Sequence, residues 1–556
     1  MKPLRVLVLT MPLALAALGA CSKKADPAPP APKTSEAAPS VPAVASAAPA
    51  ARDDAIAWRR DDVDAAFAEA KAAKKPVFLY WGAAWCPPCN QMKATLFNKR
   101  EFVERTQYFV PVYVDGDTPA AQKLGTRFSV SGYPTMVLFT PDGTEITRLP
   151  GETDPARYLQ VLTLGMNSAR PVATTLKTAL GDGKGLTQDD WRMLAWYSWD
   201  TDDQQLVPTA KVPATLQALA ARCPVAFADV KSRLMLKTAA AVGDELSARK
   251  EAGPALDRKA ALRQVEAVLS QSASARDNFD LLTNAMPELV RATTTAGMPE
   301  RAKLVDDADR VLQRLAADTS LSNTDRLGAT VARVQLATID VKPAGPNDAA
   351  APVVLPEPLK VVVRDEVARA DRESKDPYER QTVINSAAYL LTSAGMIDAS
   401  DALLTAELTR SHSPYYFMLD LASNAKKRGD KAAAIDWYAK AYDAAKGPAT
   451  RLQWGATYVT ALVDLSPTDA ARIEKAASQV LGEVEPVPES FDGRNRKSLS
   501  RMATKIAGWN QGDAHAAQAT RIADASRQLC AKLPESAPER ARCGELLKVG
   551  PSAKKA

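Results

Sequence analysis

Residues 75–93, KPVFLYWGAAWCPPCNQMK, join an apolar run to two cysteines that are separated only by prolines. The apolar run Lys75–Trp85 has the composition of a strand, and a helical pattern begins at Cys86. A cysteine at such a junction lies at the positive end of a helix, which lowers the pKa of its thiol and supplies thiolate. The pair could be a redox couple, half of a metal site, a haem attachment or a structural disulfide.

The residues around the pair favour the redox couple. Haem attachment needs a histidine directly after the second cysteine, but Asn90 stands there, and the only histidines, His412 and His515, lie far along the chain. A zinc site needs a second close pair, whereas Cys530 and Cys543 are thirteen residues apart. A disulfide across two residues closes a very small loop, so it stabilises little but is readily cycled.

Strand-like and helix-like segments alternate on both sides of the cysteines. Further strands are predicted at Val110–Asp117 and within Pro134–Leu149, where Pro141-Asp142-Gly143 marks a hairpin turn. Helices are predicted at Asp61–Ala73, Cys86–Leu96, Thr118–Phe128 and Asp154–Leu164. The order predicts a βαβ unit followed by a ββα unit.

Two motifs in this segment resemble those of the thioredoxin family. Trp85-Cys86-Pro87-Pro88-Cys89 is similar to the tryptophan-led CxxC motif, and Gly132-Tyr133-Pro134-Thr135 is similar to the cis-proline loop. The resemblance covers Ala55–Met166, about a fifth of the chain, and is strongest to bacterial envelope members. It implies an α/β thioredoxin fold, here assigned to residues 55–168.

The resemblance also implies roles for single residues. Cys86 would be the exposed nucleophile and Cys89 the buried resolving thiol, so that they form a redox disulfide. Trp85, Tyr133 and Pro134 would shape the substrate groove, with Pro134 in the cis form. A trans proline at a strand start is the alternative for Pro134. No metal and no cofactor are expected.

One position departs from the family pattern. Many thioredoxins carry a buried aspartate six residues before the first cysteine, where this chain has Tyr80. Proton transfer from Cys89 is therefore expected to be slower or to use another group. The two prolines lack N–H groups that could solvate a thiolate, which argues against a strong oxidant and favours a reductant or a dedicated exchange partner.

The N-terminus has the pattern of a lipoprotein leader. Two basic residues precede the apolar run Val6–Ala20, which is too short to span a membrane. Leu18-Gly19-Ala20-Cys21 resembles a lipobox, so we predict a signal peptide at 1–20 and lipidation of Cys21. A plain secretory peptide cleaved after Ala20 is the alternative. The following residue, Ser22, favours the outer membrane facing the periplasm.

Residues 21–54 are rich in proline and alanine and predict a disordered tether. From 169 to 556 apolar positions recur at helical spacing, which predicts a large all-α region. Gly395 and Gly429 are 34 residues apart, as are Pro414 and Pro448. This period resembles tetratricopeptide repeats around 380–465, and an ordinary helical bundle is the alternative.

The charge balance is nearly even. Lys and Arg total 71 against 65 acidic residues, which gives no reason to expect nucleic acid.

The remaining cysteines have structural interpretations. Cys530 and Cys543 are expected either as a structural disulfide across a helical hairpin or as two buried thiols. Cys223 is expected to be a packed thiol rather than a third redox centre.

The sequence therefore favours a lipid-tethered envelope thiol–disulfide oxidoreductase. Its expected partners are protein disulfides, an upstream thiol reductant and, through the lipid, a membrane. The alternative is a helical interaction scaffold whose thioredoxin-like domain senses redox state or is not catalytic.

Overall fold

The computed structural model describes residues 56–130, 132–151, 153–168, 170–202, 205–247, 256–341 and 353–546. The predicted signal peptide (1–20), the lipidation site Cys21 and the tether (21–54) lie outside these residues. All of the described residues belong to one compact unit, which contains both the mixed α/β segment and the helical region.

A mixed five-stranded sheet forms the core of the α/β domain, in the order β1-β3-β2-β4-β5. β1 and β2 run parallel to β3, whereas β4 is antiparallel to β2 and β5 is antiparallel to β4. All residues of the central strand β2 are buried. The strands are Arg59–Arg60 (β1), Val77–Gly82 (β2), Val110–Asp115 (β3), Thr135–Phe139 (β4) and Glu145–Leu149 (β5).

Helices cover both faces of this sheet, because β2 and its neighbours direct apolar side chains to either side. Three of the helices begin at a capping side chain: Asp62, Thr118 and Asp154 each accept hydrogen bonds from amides in the first turn. The helices are Val63–Ala73 (α1), Pro87–Met92 (α2, continued by a π-helical turn at Lys93–Phe97), Arg100–Arg105 (α3), Pro119–Arg127 (α4) and Pro155–Met166 (α5).

The rest of the described chain is helical, as the apolar spacing predicts. These helices are Val172–Leu180 (α6), Gln188–Trp196 (α7), Val212–Arg222 (α8), Ala228–Ser247 (α9), Arg258–Ser270 (α10), Ser272–Asp277 (α11), Phe279–Asn284 (α12), Met286–Thr293 (α13), Pro299–Ala317 (α14), Asn323–Ala337 (α15), Glu357–Glu373 (α16), Pro377–Ser393 (α17), Ile397–Glu407 (α18), Pro414–Lys427 (α19), Lys431–Ala444 (α20), Pro448–Leu465 (α21), Ala470–Glu483 (α22), Gly493–Trp509 (α23), Ala516–Ala531 (α24) and Pro538–Leu546 (α25).

The 34-residue period corresponds to equivalent points in successive helical pairs. Gly395 follows α17 and Gly429 follows α19, both with positive φ (75° and 78°), which glycine adopts without strain. Pro414 and Pro448 are the first residues of α19 and α21. α17 packs on α18, α19 on α20, and α21 on α22. The period therefore repeats a turn and a helix start.

A buried arginine ties the sheet to the chain that follows the α/β domain. Arg148 on β5 is fully buried and forms an ion pair of 3.1 Å with Glu145. Its guanidinium donates hydrogen bonds to the carbonyl oxygens of Phe128, Ser129 and Thr201 at 2.7–2.9 Å. The segment around Thr201 therefore returns to the sheet, although it lies beyond the predicted boundary at 168.

Replacing Arg148 by alanine should destabilise the fold, because Glu145 and three carbonyl groups lose a buried donor. Removing one partner of a buried ion pair typically costs about 3 kcal/mol. We expect Arg148→Ala to lower the denaturant midpoint accordingly, followed by circular dichroism. Arg100→Ala, at a side chain that is 87% exposed, is the matched control. Equal midpoints for the two variants would contradict the role assigned to Arg148.

Candidate functional site

The two cysteines lie where β2 leads into α2. Cys86 is the N-cap residue of α2, and its sulfur accepts a hydrogen bond of 3.2 Å from the amide of Cys89. Pro87 and Pro88 occupy the first helical positions, where a missing N–H breaks no helical hydrogen bond. Cys86 and Cys89 form a disulfide, with their Cα atoms 5.2 Å apart.

The residues predicted for the groove lie around this disulfide. Trp85 and Tyr133 belong to the same apolar cluster as the two cysteines, and their rings are 6.2 Å apart. The Tyr133–Pro134 peptide bond is cis. The hydroxyl of Tyr133 donates to the carbonyl oxygen of Gly116 at 3.1 Å, which fixes the ring beside the loop after β3.

Tyr80 occupies the position for which the resemblance suggests an aspartate. Its ring is buried on β2, 4.8 Å from the ring of Phe97 and 5.4 Å from that of Tyr113. A Cβ atom at Gly82 would lie only 2.4 Å from the Tyr80 hydroxyl, so the glycine makes room for this side chain. An aromatic side chain therefore takes the place of the carboxylate.

The prediction that Cys86 is exposed is wrong for this structure. Cys86 is 2% exposed and Cys89 is fully buried. Side chains of the helical region cover the sulfurs, among them Tyr415 of α19, Ala441 of α20 and Trp454 of α21. The motif alone could not reveal this cover, because its residues follow more than 300 positions later in the chain.

The cover consists mainly of aromatic side chains and one arginine. The ring of Trp85 stacks on Tyr416 at 5.8 Å and meets Trp454 edge-on at 4.9 Å. The guanidinium of Arg494 lies 5.4 Å from the Trp85 ring and 5.0 Å from that of Tyr133, within the range of cation–π attraction. Burial lowers the pKa of Arg494. No sequence motif links Tyr416, Trp454 or Arg494 to the cysteine pair.

Polar contacts hold the backbone before the disulfide. Nε2 of His412 donates to the carbonyl oxygen of Ala84 at 3.0 Å. The buried amide of Asn90 donates to the carbonyl oxygens of Ala84 and Cys86 at 2.9 and 3.0 Å. The turn that presents Cys86 is thus fixed from α2 and from the helical region at once.

The start of α21 is capped by the α/β domain. Its N-cap residue is Gly447, which has no side chain to accept from the free amides of the first turn. Asp117, in the loop after β3, accepts from the amide of Thr450 through its carboxylate at 2.5 Å and from the amide of Ala449 through its carbonyl at 3.2 Å. A carboxylate at a helix N-terminus also interacts favourably with the helix dipole.

The start of α23 is capped in the same way. Oε1 of the buried Gln122 on α4 accepts from the amides of Arg494 and Asn495 at 3.0 and 3.3 Å. The hydroxyl of Thr126 accepts from the amide of Gly493 at 3.2 Å. The two helices that carry Trp454 and Arg494 are therefore both fixed at their starts by the α/β domain.

The other cysteines that the structure describes belong to different apolar clusters. Cys530 on α24 and Cys543 on α25 form a disulfide. Cys223 is a buried thiol, and burial raises its pKa to about 11. Within the described ranges, no group of three histidine, cysteine, aspartate or glutamate side chains is placed to hold a metal ion. No helix in that part of the chain is both long and apolar enough to cross a bilayer.

Fold and site define a class: an α/β domain with a redox-type cysteine pair at a helix start, beside a cis-proline loop. A family model for a thioredoxin-like domain matches residues 63–165. A thioredoxin of Mycolicibacterium smegmatis is 30% identical over 90 residues, which cover 16% of this chain and 78% of that protein. The chain belongs to the thioredoxin family.

Two further matches cover a similar share of the chain. The thiol:disulfide interchange protein DsbD 1 of Pseudomonas aeruginosa is 33% identical over 102 residues, 17% of this chain and 17% of that protein. The chain thus spans about a sixth of that relative. A solution structure of a thioredoxin from Thermus thermophilus is 31% identical, with coverage of 19% of this chain and 86% of that one and a TM-score of 0.18.

The contact of Asp117 with α21 should depend on pH. Burial raises the pKa of Asp117 to about 6, and the neighbouring carboxylate of Asp115 adds to the effect. When Asp117 separates from the start of α21, its pKa returns towards about 3.9. The Asp117 carboxyl therefore binds its proton more tightly while it is docked on α21. Docking is therefore strongest below about pH 4 and weakens as the pH rises through 6.

Asp117→Asn keeps an oxygen that can accept from Thr450 but carries no charge. We expect it to stabilise the protein by about 1–2 kcal/mol at pH 8 and to have no effect near pH 4. Urea midpoints of both proteins at the two pH values measure the difference. Asp142→Asn, at an exposed carboxylate, is the control. A difference for Asp117→Asn that is the same at both pH values would contradict the burial of a charged Asp117.

Proposed function

We propose that this protein is a thiol–disulfide oxidoreductase that exchanges disulfides of protein partners through Cys86 and Cys89. The observation that carries the proposal is the Cys86–Cys89 disulfide at the start of α2, next to Trp85 and the Tyr133–Pro134 loop of a thioredoxin domain. A domain that only binds partners has no need for both sulfurs in this position.

In the proposed reaction the reduced enzyme carries two thiols. The thiolate of Cys86 attacks one sulfur of a partner disulfide, whose S–S bond breaks and releases a partner thiolate. The thiolate of Cys89 then attacks Sγ of Cys86, forms the Cys86–Cys89 disulfide and releases the second partner thiolate. Two electrons pass to the partner, and a dithiol reductant must return two electrons to the enzyme.

The helix start supports the first step. The N-terminal end of α2 favours negative charge on Cys86, and the amide of Cys89 already donates to its sulfur. Pro87 and Pro88 offer no further N–H groups, so the stabilisation of the thiolate is moderate. This arrangement suits a reductant or an exchange partner better than a strong oxidant.

We also propose that a lipid on Cys21 tethers the protein to the bacterial envelope, in the outer membrane and facing the periplasm. The lipobox-like Leu18–Cys21 and the proline-rich residues after it support this proposal. The similarity to the thiol:disulfide interchange protein of Pseudomonas aeruginosa supports disulfide exchange by this chain. The long helical region would select the partners.

A second candidate function is an interaction scaffold with a non-catalytic thioredoxin domain. The burial of Cys86 favours it, because a cysteine residue that is only 2% exposed cannot meet a protein disulfide in this conformation. Under this alternative the Cys86–Cys89 disulfide serves the packing of the helical region on the domain. The two functions differ in whether a partner ever becomes bonded to Cys86.

Trapping tests the enzyme against the scaffold. Without the resolving thiol, Cys89→Ala should hold partners as mixed disulfides on Cys86, seen as higher-mass bands that disappear on reduction. Cys86→Ala and the double variant should trap none and serve as controls. If Cys89→Ala traps nothing in envelope extracts while partners still co-purify without covalent bonds, the scaffold is correct.

Membrane fractionation tests the tether. We expect the wild-type protein to begin at an acylated Cys21 and to remain with the membranes, because a lipid chain binds to the bilayer through its buried methylene groups. Cys21→Ser should release or mislocalise the protein. A soluble wild-type protein with an unmodified N-terminus would refute the lipid anchor, without bearing on the sulfur chemistry.

A further inference from the structure

The place where a partner disulfide must approach Cys86 is already occupied. The apolar cluster around Cys86 includes Tyr415 of α19, Ala441 of α20, Ala445 directly after α20, and Trp454 of α21. Attack on a disulfide requires the incoming sulfur to reach the Cys86 sulfur, and with these helices in place Cys86 is only 2% exposed. A partner and this set of helices therefore cannot occupy the site at the same time.

We propose that helices α19–α23 form an internal gate over Cys86 and Cys89, which is closed in this structure. The gate opens when the start of α21 separates from the loop after β3 and the start of α23 separates from α4. The inference rests on the proposed function, since it describes how partners reach the same two sulfurs. The gate is part of this chain, so access to Cys86 is set by an equilibrium within the molecule.

Polar contacts at helix starts form one side of the closed gate. Asp117 caps α21, Gln122 and Thr126 cap α23, and Lys123 forms an ion pair of 3.0 Å with Glu489. Opening would expose these donors and acceptors to water, which can replace the lost hydrogen bonds. Such contacts suit an interface that must separate again.

A second set of contacts joins α2 and the sheet to helices that precede the gate. α2 packs on α17, and Nε2 of Gln91 donates to the carboxylate of Asp325 at 3.1 Å and to the hydroxyl of Ser322 at 3.3 Å, at the start of α15. The buried Arg148 network further joins the sheet to the chain near Thr201. These contacts give the thioredoxin domain a base on the earlier helices when α19–α23 move away.

Gly447 provides a substitution that acts on the closed state. A Cβ atom there would lie 1.2 Å from a carboxylate oxygen of Asp117, so Gly447→Ala displaces the carboxylate that caps α21 in the closed state. The residue has φ of +83°, which strains alanine in either state. Gly297→Ala is the matched control, because its φ is +78° but nothing lies within 4 Å of the added Cβ.

The experiment uses the full chain with Cys21→Ser, Cys89→Ala and Cys223→Ser, so that Cys86 is the one free thiol as long as the Cys530–Cys543 disulfide is intact. The chain is treated with a phosphine, the phosphine is removed, and the rate at which a bulky maleimide then labels Cys86 is followed by mass shift. Labelling of the urea-unfolded chain gives the rate for a fully accessible thiol. The Cys530–Cys543 disulfide, buried in α24 and α25, reports whether labelling requires global unfolding.

We expect the protein with the native gate to be labelled at least tenfold more slowly than the unfolded chain, because an open state in such an equilibrium is typically populated to about 0.1–10%. Gly447→Ala should accelerate labelling at least tenfold, and Gly297→Ala should stay within about twofold. Asp117→Ala, which removes the cap of α21, should also accelerate labelling and replaces Gly447→Ala if that variant does not fold.

The gate would be overturned if the protein with the native gate were labelled as fast as the unfolded chain. It would also be overturned if neither Gly447→Ala nor Asp117→Ala accelerated labelling. Acceleration accompanied by loss of the Cys530–Cys543 disulfide would do so too, since it would indicate global unfolding. An insulin reduction assay then separates the gate from the oxidoreductase. It uses Gly447→Ala in the chain with Cys21→Ser and Cys223→Ser, with Cys86 and Cys89 both intact. Rapid labelling without reduction of insulin refutes the oxidoreductase but leaves the gate. Reduction of insulin at equal rates by the protein with the native gate and by Gly447→Ala refutes the gate alone.

Discussion

The free amides at the starts of α21 and α23 determine how this structure is assembled. The first N–H groups of a helix have no partners within it, and neither helix supplies a capping side chain of its own. α20 and α22, in contrast, begin at the capping residues Asp430 and Asp469. Asp117 and Gln122 of the thioredoxin domain satisfy α21 and α23 instead, and in doing so they set the position of Trp454 and Arg494 over Trp85.

The start of α2 and the apolar cover act on the charge of the Cys86 sulfur in opposite directions. The start of α2 favours a thiolate on Cys86, whereas an apolar cover disfavours any charge there. Closing the site thus lowers reactivity in two ways, by blocking approach and by removing water from the sulfur. The electronic and the steric control of Cys86 both depend on where three helices of the distant region lie.

Much of the domain could be predicted from the sequence, because its signals are local. The apolar strands, the hairpin turn and the helix starts all appear in short stretches, and the four predicted strands form. β1 has only two residues, Arg59–Arg60, and exists through pairing with β3, so no local pattern marks it. The cover was not predictable for a related reason, since its contacts join residues more than 300 positions apart. One indication was available: the helix after Gly447-Pro448 lacks a polar cap of its own.

The distance along the chain between the site and its cover also matters while the protein is being made. Tyr415 is synthesised more than 300 residues after Cys86, which corresponds to roughly 15–65 s at about 5–20 residues per second. During this interval Trp85 and both sulfurs of the motif have no helices above them, and Cys223 emerges before the cover does. The closed arrangement therefore depends on residues that are made late, and any chain that ends before Tyr415 leaves Cys86 and Cys89 without this cover.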